Sequence, residues 1–359
     1  MVSIACISDC HLGYRHRFKT QRLEDYVNSF NEAVEKALEK NPDVIVILGD
    51  LVHHSRPDPV TLRHAIKKLI EISQKKHVIM CIGNHEIEGH LSTTYTPIYS
   101  DIHEKIHVLT TENPHVVLNI RGKKIGFHGF EFMRSRERAE EMLDKISGEP
   151  LEGEVNILCL HQAVEKYLSP HEISIRALRD VAPKYNLILL GHVHKHDKIA
   201  ELEDITPAFY VGATERVSFN EAENTTGFMV FHKDFASPEY IPVESAPMRS
   251  LRIKVDSKSP EEVNSTVRSV IEENKDCKLL RIEVESDLSS IDFKSDWSEL
   301  GEQFTILDVV LSPKESESDV MFEKINFSEE LIREYFQKTG AKDKELEDLC
   351  VQLFQKHGA

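Results

Sequence analysis

The first 243 residues predict an α/β fold, on two observations. Short apolar runs rich in β-branched residues recur in the segments SIACISD, DVIVILGD, HVIMCIGNHE, VNILCLHQ and LILLGHVH. These runs lack alternation of apolar and polar residues, which indicates strands buried on both faces. Amphipathic helical stretches lie between several of the runs, and alternation of strand and helix favours the α/β class.

The sequence changes in texture near residue 244, which predicts further domains. Two strand-like segments, SLRIKV and LLRIEVE, flank a helix-like segment, and FTILDVVLS follows them. We therefore expect a main domain at 1–243 and a small α/β domain at 244–322. Apolar residues at helical spacing predict two short amphipathic helices in a tail at 323–359.

Charge and composition exclude several classes of protein. The 359 residues include 61 acidic and 44 basic ones, for a formal net charge of −17. This balance argues against non-specific binding of nucleic acid over the whole surface. No segment approaches the roughly 18 apolar residues of a membrane span, and the first residues resemble a strand, not a signal peptide. Six cysteines without a CxxC pair favour a cytoplasmic protein with reduced thiols.

One locally basic segment, HLGYRHRFKTQR at residues 11–22, contains no acidic residue. Arg15, Arg17 and Lys19 in this segment are candidates for contacts with DNA phosphates. A loop whose cations contact only solvent is the alternative, and the sequence leaves both readings open.

Polar residues follow five of the predicted strands at the point where each strand ends. In α/β folds, functional groups gather at the carboxyl ends of the strands. The residues at these positions are Asp9, His11, Asp50, Asn84, His161, His192 and His194.

Imidazole, carboxylate and amide donors together suit Mn²⁺, Fe²⁺ or Zn²⁺, whereas sites made of oxygen alone suit Mg²⁺ or Ca²⁺. Seven ligands are too many for one tetrahedral ion. They are enough for two ions about 3.5–4 Å apart that share a carboxylate. The sequence therefore predicts a site for two metal ions.

The order D-x-H, GD, GNH[DE], H, GHxH is that of the calcineurin-like metallophosphoesterases. The segments SDCHLGYR, GDLVHHSRPDP, GNHE, HQ, GHVHK and VGATERVSFNE closely resemble the DNA double-strand-break repair nucleases of the meiotic-recombination-eleven (SbcD) kind. The resemblance is strong over about residues 1–240. It implies a four-layer α-β-β-α sandwich with a small α/β capping domain and a helical C-terminal tail.

The resemblance also implies a role for each site residue. One ion would be held by Asp9, His11 and His194, the other by Asn84, His161 and His192, with Asp50 as the bridge. His85 would stabilise or protonate the leaving 3′ oxygen, and His53 would orient the phosphate backbone. Two residues depart from the family pattern, namely Cys10, where Thr or Asn is usual, and Glu86, where many members have Asp.

In function, the resemblance implies an exonuclease that acts 3′→5′ on duplex DNA and an endonuclease that acts on single strands. Two Mn²⁺ ions would be the cofactor, with Mg²⁺ a poorer one. The expected partners are DNA, a second copy of the chain and an ABC-type ATPase of the Rad-fifty (SbcC) kind, bound through the C-terminal helices. The expected location is the cytoplasm, at the nucleoid of a prokaryote, with no membrane partner.

The predicted homodimer would form through the helix at 58–75 and a second helix near 95–105. Apolar residues at helical spacing would make a self-complementary four-helix contact. The candidates are Leu62, Ile66, Leu69, Ile98 and Tyr99. The alternative is that the core of a single subunit takes up both apolar stripes.

Another enzyme class shares the predicted metal site. Phosphoprotein phosphatases of the same superfamily also carry GNHE, but their second motif is GDxVDRG, whereas this chain has GDLVHHSRP. A phosphoprotein or nucleotide phosphatase is therefore the alternative function. A non-enzymatic scaffold is disfavoured because every ligand position is filled.

Overall fold

The computed structural model of the chain describes residues 2–88, 96–167, 173–232, 235–257, 259–286 and 301–313. Residues 1–312 form one compact unit. The tail predicted at 323–359 lies outside the described residues. Within the described ranges, no helix is long and apolar enough to span a membrane.

The first part of the unit alternates strand and helix, as the sequence predicts. Its main elements are β1 (Ile4–Ile7), α1 (Gln21–Glu39), β2 (Val44–Leu48), α2 (Pro59–Lys75), β3 (His77–Cys81), α3 (Thr96–Ile102) and β4 (Ile106–Val108). The Asp58 carboxylate caps α2 by accepting hydrogen bonds from the backbone N–H groups of Val60 and Thr61. Pro59 occupies the first turn, where no backbone donor is needed.

The second part supplies the remaining elements. Residues up to 242 form β5 (His115–Ile120), β6 (Lys123–His128), α4 (Arg136–Gly148), β7 (Val155–Leu160), α5 (Ile175–Val181), β8 (Leu187–Leu190), β9 (Asp197–Lys198), β10 (Ala208–Tyr210), β11 (Gly227–Phe231) and β12 (Glu239–Pro242). They are followed by β13 (Met248–Val255), α6 (Pro260–Glu273), β14 (Leu279–Ser286) and β15 (Ile306–Pro313).

Two six-stranded mixed sheets form the centre of the molecule. The first has the strand order β12-β11-β1-β2-β3-β4, and the second has the order β5-β6-β7-β8-β10-β9. Strands β1 to β4 run parallel to one another, and so do β6, β7, β8 and β10. The site described below lies at the carboxyl ends of these parallel strands.

Three hydrophobic clusters give this region its layers. The middle cluster contains residues of both sheets, such as Val46 from β2 and Ile157 from β7. One outer cluster joins the first sheet to α1, α2 and α3, and the other joins the second sheet to α4 and α5. Because the sheets pack face to face with helices outside, the four-layer α-β-β-α sandwich expected from the sequence is confirmed.

A small three-stranded sheet follows the sandwich, in the order β13-β14-β15. Strands β13 and β14 are parallel, and α6 between them packs on the sheet through Val263, Val267 and Ile271. Strands and a helix therefore follow residue 244 in the order that the sequence predicts, and the last strand lies where FTILDVVLS predicts it.

Arg22, the last cation of the predicted basic segment, is buried inside the protein and has no exposure to solvent. Its guanidinium donates to the Asp25 carboxylate at 2.8 Å and to the Arg216 carbonyl at 2.7 Å, and Glu215 lies 3.5 Å away. Glu215 also accepts a hydrogen bond from the Ala246 backbone at 2.9 Å. A buried guanidinium requires such paired carboxylates, and this cluster connects α1 to the chain that enters β13.

Candidate metal centre

The carboxyl ends of five strands meet where the two large sheets face each other. Strands β1, β2 and β3 belong to the first sheet, and β7 and β8 belong to the second. The polar residues that follow these strands are the seven predicted from the sequence: Asp9, His11, Asp50, Asn84, His161, His192 and His194. Neither sheet alone would supply the whole set.

The backbone at these strand ends turns sharply. Asp9, His11, Asp50 and His192 have φ values of 50°, 46°, 50° and 81°, a region that residues with a side chain seldom adopt. Gly49 has a φ of +84°, and a Cβ atom there would overlap the His161 ring. Outliers of this kind are concentrated at functional sites, where the surrounding packing holds them in place.

Among the residues that the structure describes, three groups of side chains bring potential ligand atoms within 4.8 Å of one another. The groups are Asp9 with His11 and His194, Asp9 with Asp50 and His161, and His11 with His53 and His85. Asp9 and His11 each occur in two groups, so the three groups form one continuous cluster.

Asn84 and His192 flank the second group. The Oδ1 atom of Asn84 lies 3.1 Å from Nε2 of His161. The His192 ring centroid is 5.1 Å from that of His161, and the His192 backbone N–H donates to both Asp9 carboxylate oxygens at 3.2 Å. The His192 ring is a neighbour of the three close groups and belongs to none of them.

Partners on the outer ring nitrogens orient the histidines. Nδ1 of His161 donates to the Leu48 carbonyl at 2.6 Å, and Nδ1 of His194 donates to the Glu221 carboxylate at 3.1 Å. When these rings are neutral, Nε2 therefore carries the lone pair and faces the cluster. Such outer partners are a regular feature of metal-binding histidines. Sequence reasoning missed Glu221, although it is the last residue of the segment VGATERVSFNE.

The arrangement fits a divalent cation. The Nε2 atoms of His11 and His194 face each other at 3.0 Å, and Nε2 of His194 lies 3.7 Å from an Asp9 carboxylate oxygen. When both rings are neutral, their lone pairs converge beside this carboxylate, and a cation between them would be stabilised. Imidazole, carboxylate and amide donors are the set that Mn²⁺, Fe²⁺ or Zn²⁺ prefer.

Charge inside the cluster shifts its pKa values. Burial alone would raise the pKa of Asp50, but His161, at 3.4 Å, outweighs burial and holds that pKa well below its ordinary value. Burial would lower the pKa of His161, but the Asp50 carboxylate raises it to about 9. Likewise, Glu221 and Asp9 outweigh burial and raise the pKa of His194 to about 9. Burial lowers the pKa of His11 well below its ordinary value.

His53 and His85 lie together beside His11. Their rings stack with centroids 4.3 Å apart, and Nδ1 of His85 donates to the His53 carbonyl at 3.0 Å. Nδ1 of His53 is 3.0 Å from Nδ1 of His11, and the Tyr14 ring lies 4.0 Å from the His53 ring. Burial, reinforced by His85, lowers the pKa of His53 to about 3.

Glu86, one of the two departures from the family pattern, supports the loop that carries Asn84 and His85. It accepts hydrogen bonds from the Gly83 backbone at 3.0 Å and from the Tyr99 hydroxyl at 3.3 Å. Burial and the Asp50 charge raise the pKa of Glu86 to about 7. Its carboxyl group therefore links the backbone of this loop to Tyr99 and stabilises the loop.

Cys10, the other departure, is fully buried. Its Sγ atom faces the Ser8 carbonyl at 3.9 Å. Burial raises its pKa well above the ordinary value, so the thiol remains protonated and is a poor metal ligand.

The cations predicted to contact DNA are exposed, but two of them already have acidic neighbours. Arg17 donates to Asp308 of β15 at 2.6 Å, and Arg15 lies 3.8 Å from Asp58. Lys19 is exposed at the end of the same turn. The structure places all three in the loop that leaves His11.

The candidates for a dimer interface separate into two groups. Leu69 and Tyr99 are fully buried in the subunit core, which leaves them no surface to offer a partner, and this corrects their assignment. Leu62 and Ile66 on α2 are partly exposed, and Ile98 on α3 is 40% exposed. Helices α2 and α3 contact each other, so these three residues belong to one region of the surface.

Comparison with known families agrees with this geometry. The sequence profile of the calcineurin-like phosphoesterases matches residues 2–196, which is more than half of the chain. The chain therefore belongs to the calcineurin-like phosphoesterase family.

Individual relatives share a single name, "DNA double-strand break repair protein Mre11". That of Methanocaldococcus jannaschii is 33% identical over 224 residues, 61% of this chain and 58% of that protein. That of Archaeoglobus fulgidus is 26% identical over 294 residues, 71% of this chain and 62% of that protein. That of Thermoplasma acidophilum is 24% identical over 362 residues, 96% of this chain and 92% of that protein. The resemblance inferred from the motifs is confirmed, although this chain spans less than two thirds of the first two relatives.

Metal binding is expected to release protons. In the metal-free protein at pH 7, the pKa values near 9 leave His161 and His194 protonated, and a metal ion binds only the neutral rings. Affinity for a divalent ion should therefore rise as the pH increases from 6 to 9, with about one proton released per histidine at pH 7. Calorimetric titration of Mn²⁺ in two buffers of different ionisation enthalpy measures this release. A heat of binding independent of the buffer would contradict the expectation.

Proposed function

We propose that this protein is a manganese-dependent DNA nuclease that processes the ends of double-strand breaks. Its activities would be 3′→5′ hydrolysis of duplex DNA and endonucleolytic cleavage of single strands. The observation that carries the proposal is the convergence of buried carboxylates and imidazoles from the strand ends of both sheets. The choice of DNA as substrate rests on the names of the relatives.

Two metal ions are assigned to this cluster. One would be held by Asp9, His11 and His194, and the other by Asn84, His161 and His192. The position of Asp50 supports its role as the bridge, since one of its oxygens lies 3.8 Å from Nε2 of His11 and 3.4 Å from Nε2 of His161. When bound, two such ions would supply positive charge to a phosphodiester and would lower the pKa of a water molecule.

His85 is the group assigned to the leaving oxygen. Its Nδ1 donates to the His53 carbonyl, which only accepts, so the other ring nitrogen is free to hold a proton for the substrate. A proton held at Nε2 would stabilise the charge that develops on the 3′ oxygen. The Asp50 carboxylate also accepts a hydrogen bond from the backbone N–H of His85 at 2.9 Å, which fixes the position of the His85 backbone.

His53 is assigned to the positioning of substrate and ligands. It lies between His11 and His85, and Tyr14 packs against its other side. A residue held on three sides keeps a fixed orientation, which is what alignment of a phosphate backbone requires.

The function is tested with linear duplex DNA in Mn²⁺ and, separately, in Mg²⁺. We expect nucleotide release from 3′ ends with Mn²⁺ and slower release with Mg²⁺. A phosphomonoester substrate run in parallel tests the phosphatase alternative. Rapid hydrolysis of the phosphomonoester with no cleavage of DNA would overturn the proposal.

Replacement of His85 tests whether this residue acts in DNA cleavage or in the binding of Mn²⁺ and DNA. In His85→Ser, cleavage should fall by about 100-fold or more, as removal of a general acid predicts, while Mn²⁺ content and DNA affinity should stay unchanged. Single-turnover cleavage, metal analysis and a DNA-binding titration measure the three quantities. His232→Ser, at an exposed histidine after β11, is the control and should behave as wild type. Loss of Mn²⁺ from His85→Ser would instead make His85 a ligand.

We further propose a homodimer through α2 and α3. The support is the partly exposed apolar residues Leu62, Ile66 and Ile98 on two helices that contact each other. A two-fold contact would set two metal centres side by side to hold DNA ends.

Leu62→Asp should produce a monomer, because an unpaired carboxylate buried in the contact costs several kcal/mol. Mn²⁺ binding should persist and duplex processing should fall. Light scattering measures the mass at micromolar concentration. Val117→Asp, at a residue 37% exposed on β5 of the other sheet, is the control and should remain dimeric. A monomeric wild-type protein would refute the dimer.

The remaining proposals concern domains and partners. We assign residues 1–243 to the nuclease domain, 244–322 to a cap that contacts DNA, and 323–359 to binding of an ABC-type ATPase. A protein with these roles would act in the cytoplasm, on the nucleoid of a prokaryote.

Deletion of residues 325–359 should abolish the complex with the ATPase while nuclease activity persists. The sequence predicts two short amphipathic helices in this tail, and helices of such length are marginal alone, so they would gain stability from a partner. Co-purification of the two proteins and a nuclease assay measure the two outcomes. A complex that survives the deletion would place the contact elsewhere.

A further inference from the structure

Phe18 is the most exposed large apolar side chain among the described residues. It is 93% exposed to solvent and ends a short 3₁₀ turn, His16–Phe18, in the loop between His11 and α1. An isolated exposed apolar residue requires no explanation by itself. The surroundings of Phe18 are what distinguish it.

The turn that carries Phe18 is held on both sides. The buried His16 ring stacks on Tyr14 at 5.8 Å and packs against Phe219 at 5.5 Å. The Arg17 guanidinium donates to the Asp308 carboxylate of β15 at 2.6 Å. Both neighbours that precede Phe18 are therefore tied to other parts of the protein.

The backbone of this turn has an unfavourable conformation. Arg17 and Phe18 have φ values of 51° and 62°, so two consecutive residues with side chains lie in the left-handed region. Such conformations persist only where surrounding contacts enforce them, and they are concentrated at functional sites. The ring is thus presented to solvent by a constrained turn.

The turn also lies close to the metal centre. Tyr14, four residues before Phe18, packs at 4.0 Å against His53, and the His53 ring is 5.0 Å from that of His11. Arg15 and Lys19, on either side of the turn, are exposed cations. An exposed aromatic ring flanked by cations matches a nucleotide, whose base offers a flat face and whose phosphate carries negative charge.

We propose that Phe18 stacks on an unpaired nucleobase at the end of the DNA strand that enters the metal centre. This inference rests on the proposed nuclease function and narrows its substrate class. A base pair inside a duplex has both faces covered by its neighbours, and the terminal pair of a blunt end exposes only its outer face. A frayed, overhanging or single-stranded nucleotide can instead turn its base towards the Phe18 ring. The preferred substrate is therefore DNA with unpaired terminal nucleotides.

Binding to three oligonucleotides tests this proposal. They are a blunt duplex, a duplex with an unpaired 3′ end and a single strand, each with phosphorothioate linkages to slow cleavage, and each bound by the Mn²⁺-loaded protein. Phe18→Ala should weaken binding to the last two by about 10-fold, the effect of losing one stacked base, with less than about a twofold change on the blunt duplex. Phe18→Trp, which keeps an aromatic ring at this position, should bind all three DNAs as the wild type does. Val117→Ala, which also shortens an exposed apolar side chain, should match wild type.

A fluorescent base supplies a second readout. With 2-aminopurine as the unpaired terminal nucleotide, stacking should quench its emission on wild-type protein and on Phe18→Trp, but not on Phe18→Ala. Lys19→Ala should instead weaken all three DNAs alike and reduce the salt dependence, as expected for a phosphate contact.

Three results would overturn the proposal. Equal losses on blunt and unpaired ends would make Phe18 a general contact, and no loss on any DNA would remove it from the substrate path. Loss of the ATPase complex with DNA binding intact would make Phe18 part of a protein interface. The nuclease proposal is tested separately by measuring Mn²⁺-dependent hydrolysis of a small phosphodiester by the wild type. Absence of this hydrolysis would count against the nuclease proposal. If that hydrolysis is present, a negative result for Phe18 refutes the base-stacking proposal alone.

Discussion

The centre of this protein depends on one electrostatic constraint: several imidazole rings and carboxylates face one another at a buried position between the two sheets. Three of the histidines have a partner for the ring nitrogen that faces away from the cluster. His161 donates to the Leu48 carbonyl and His194 to Glu221, while His11 faces His53. These contacts hold the rings in place before any cation arrives, so little reorganisation is needed for binding.

The same contacts make the site a property of the packing between the two sheets. His161 follows β7 of the second sheet, but its partners Leu48 and Asp50 belong to β2 and the loop after it in the first. The apolar core between the sheets sets the distance across which these groups meet. A substitution in that core would therefore change metal binding as well as stability, since close-packed interiors transmit strain.

Elsewhere in the molecule, several cations form ion pairs with nearby carboxylates. Arg22 pairs with buried carboxylates, Arg17 with Asp308, and Lys278 of the small sheet with Asp25 of α1 at 3.1 Å. Cations that are neutralised within the protein add little to attraction over a distance. This agrees with the net charge of −17.

The sequence by itself determined the five strands that end in polar residues, those polar residues, and the start of α2 at Asp58. Each of these is set by a local pattern of burial, capping or turn chemistry. Tertiary structure decided which distant groups meet: Glu221 behind His194, Arg22 inside the protein, and Tyr99 in the core beneath Glu86. No local pattern encodes these contacts, because they depend on how separate elements pack. For the same reason, the sequence does not show that Phe18 is exposed on a constrained turn. That constraint comes from the contacts that residues on the turn make with distant parts of the chain.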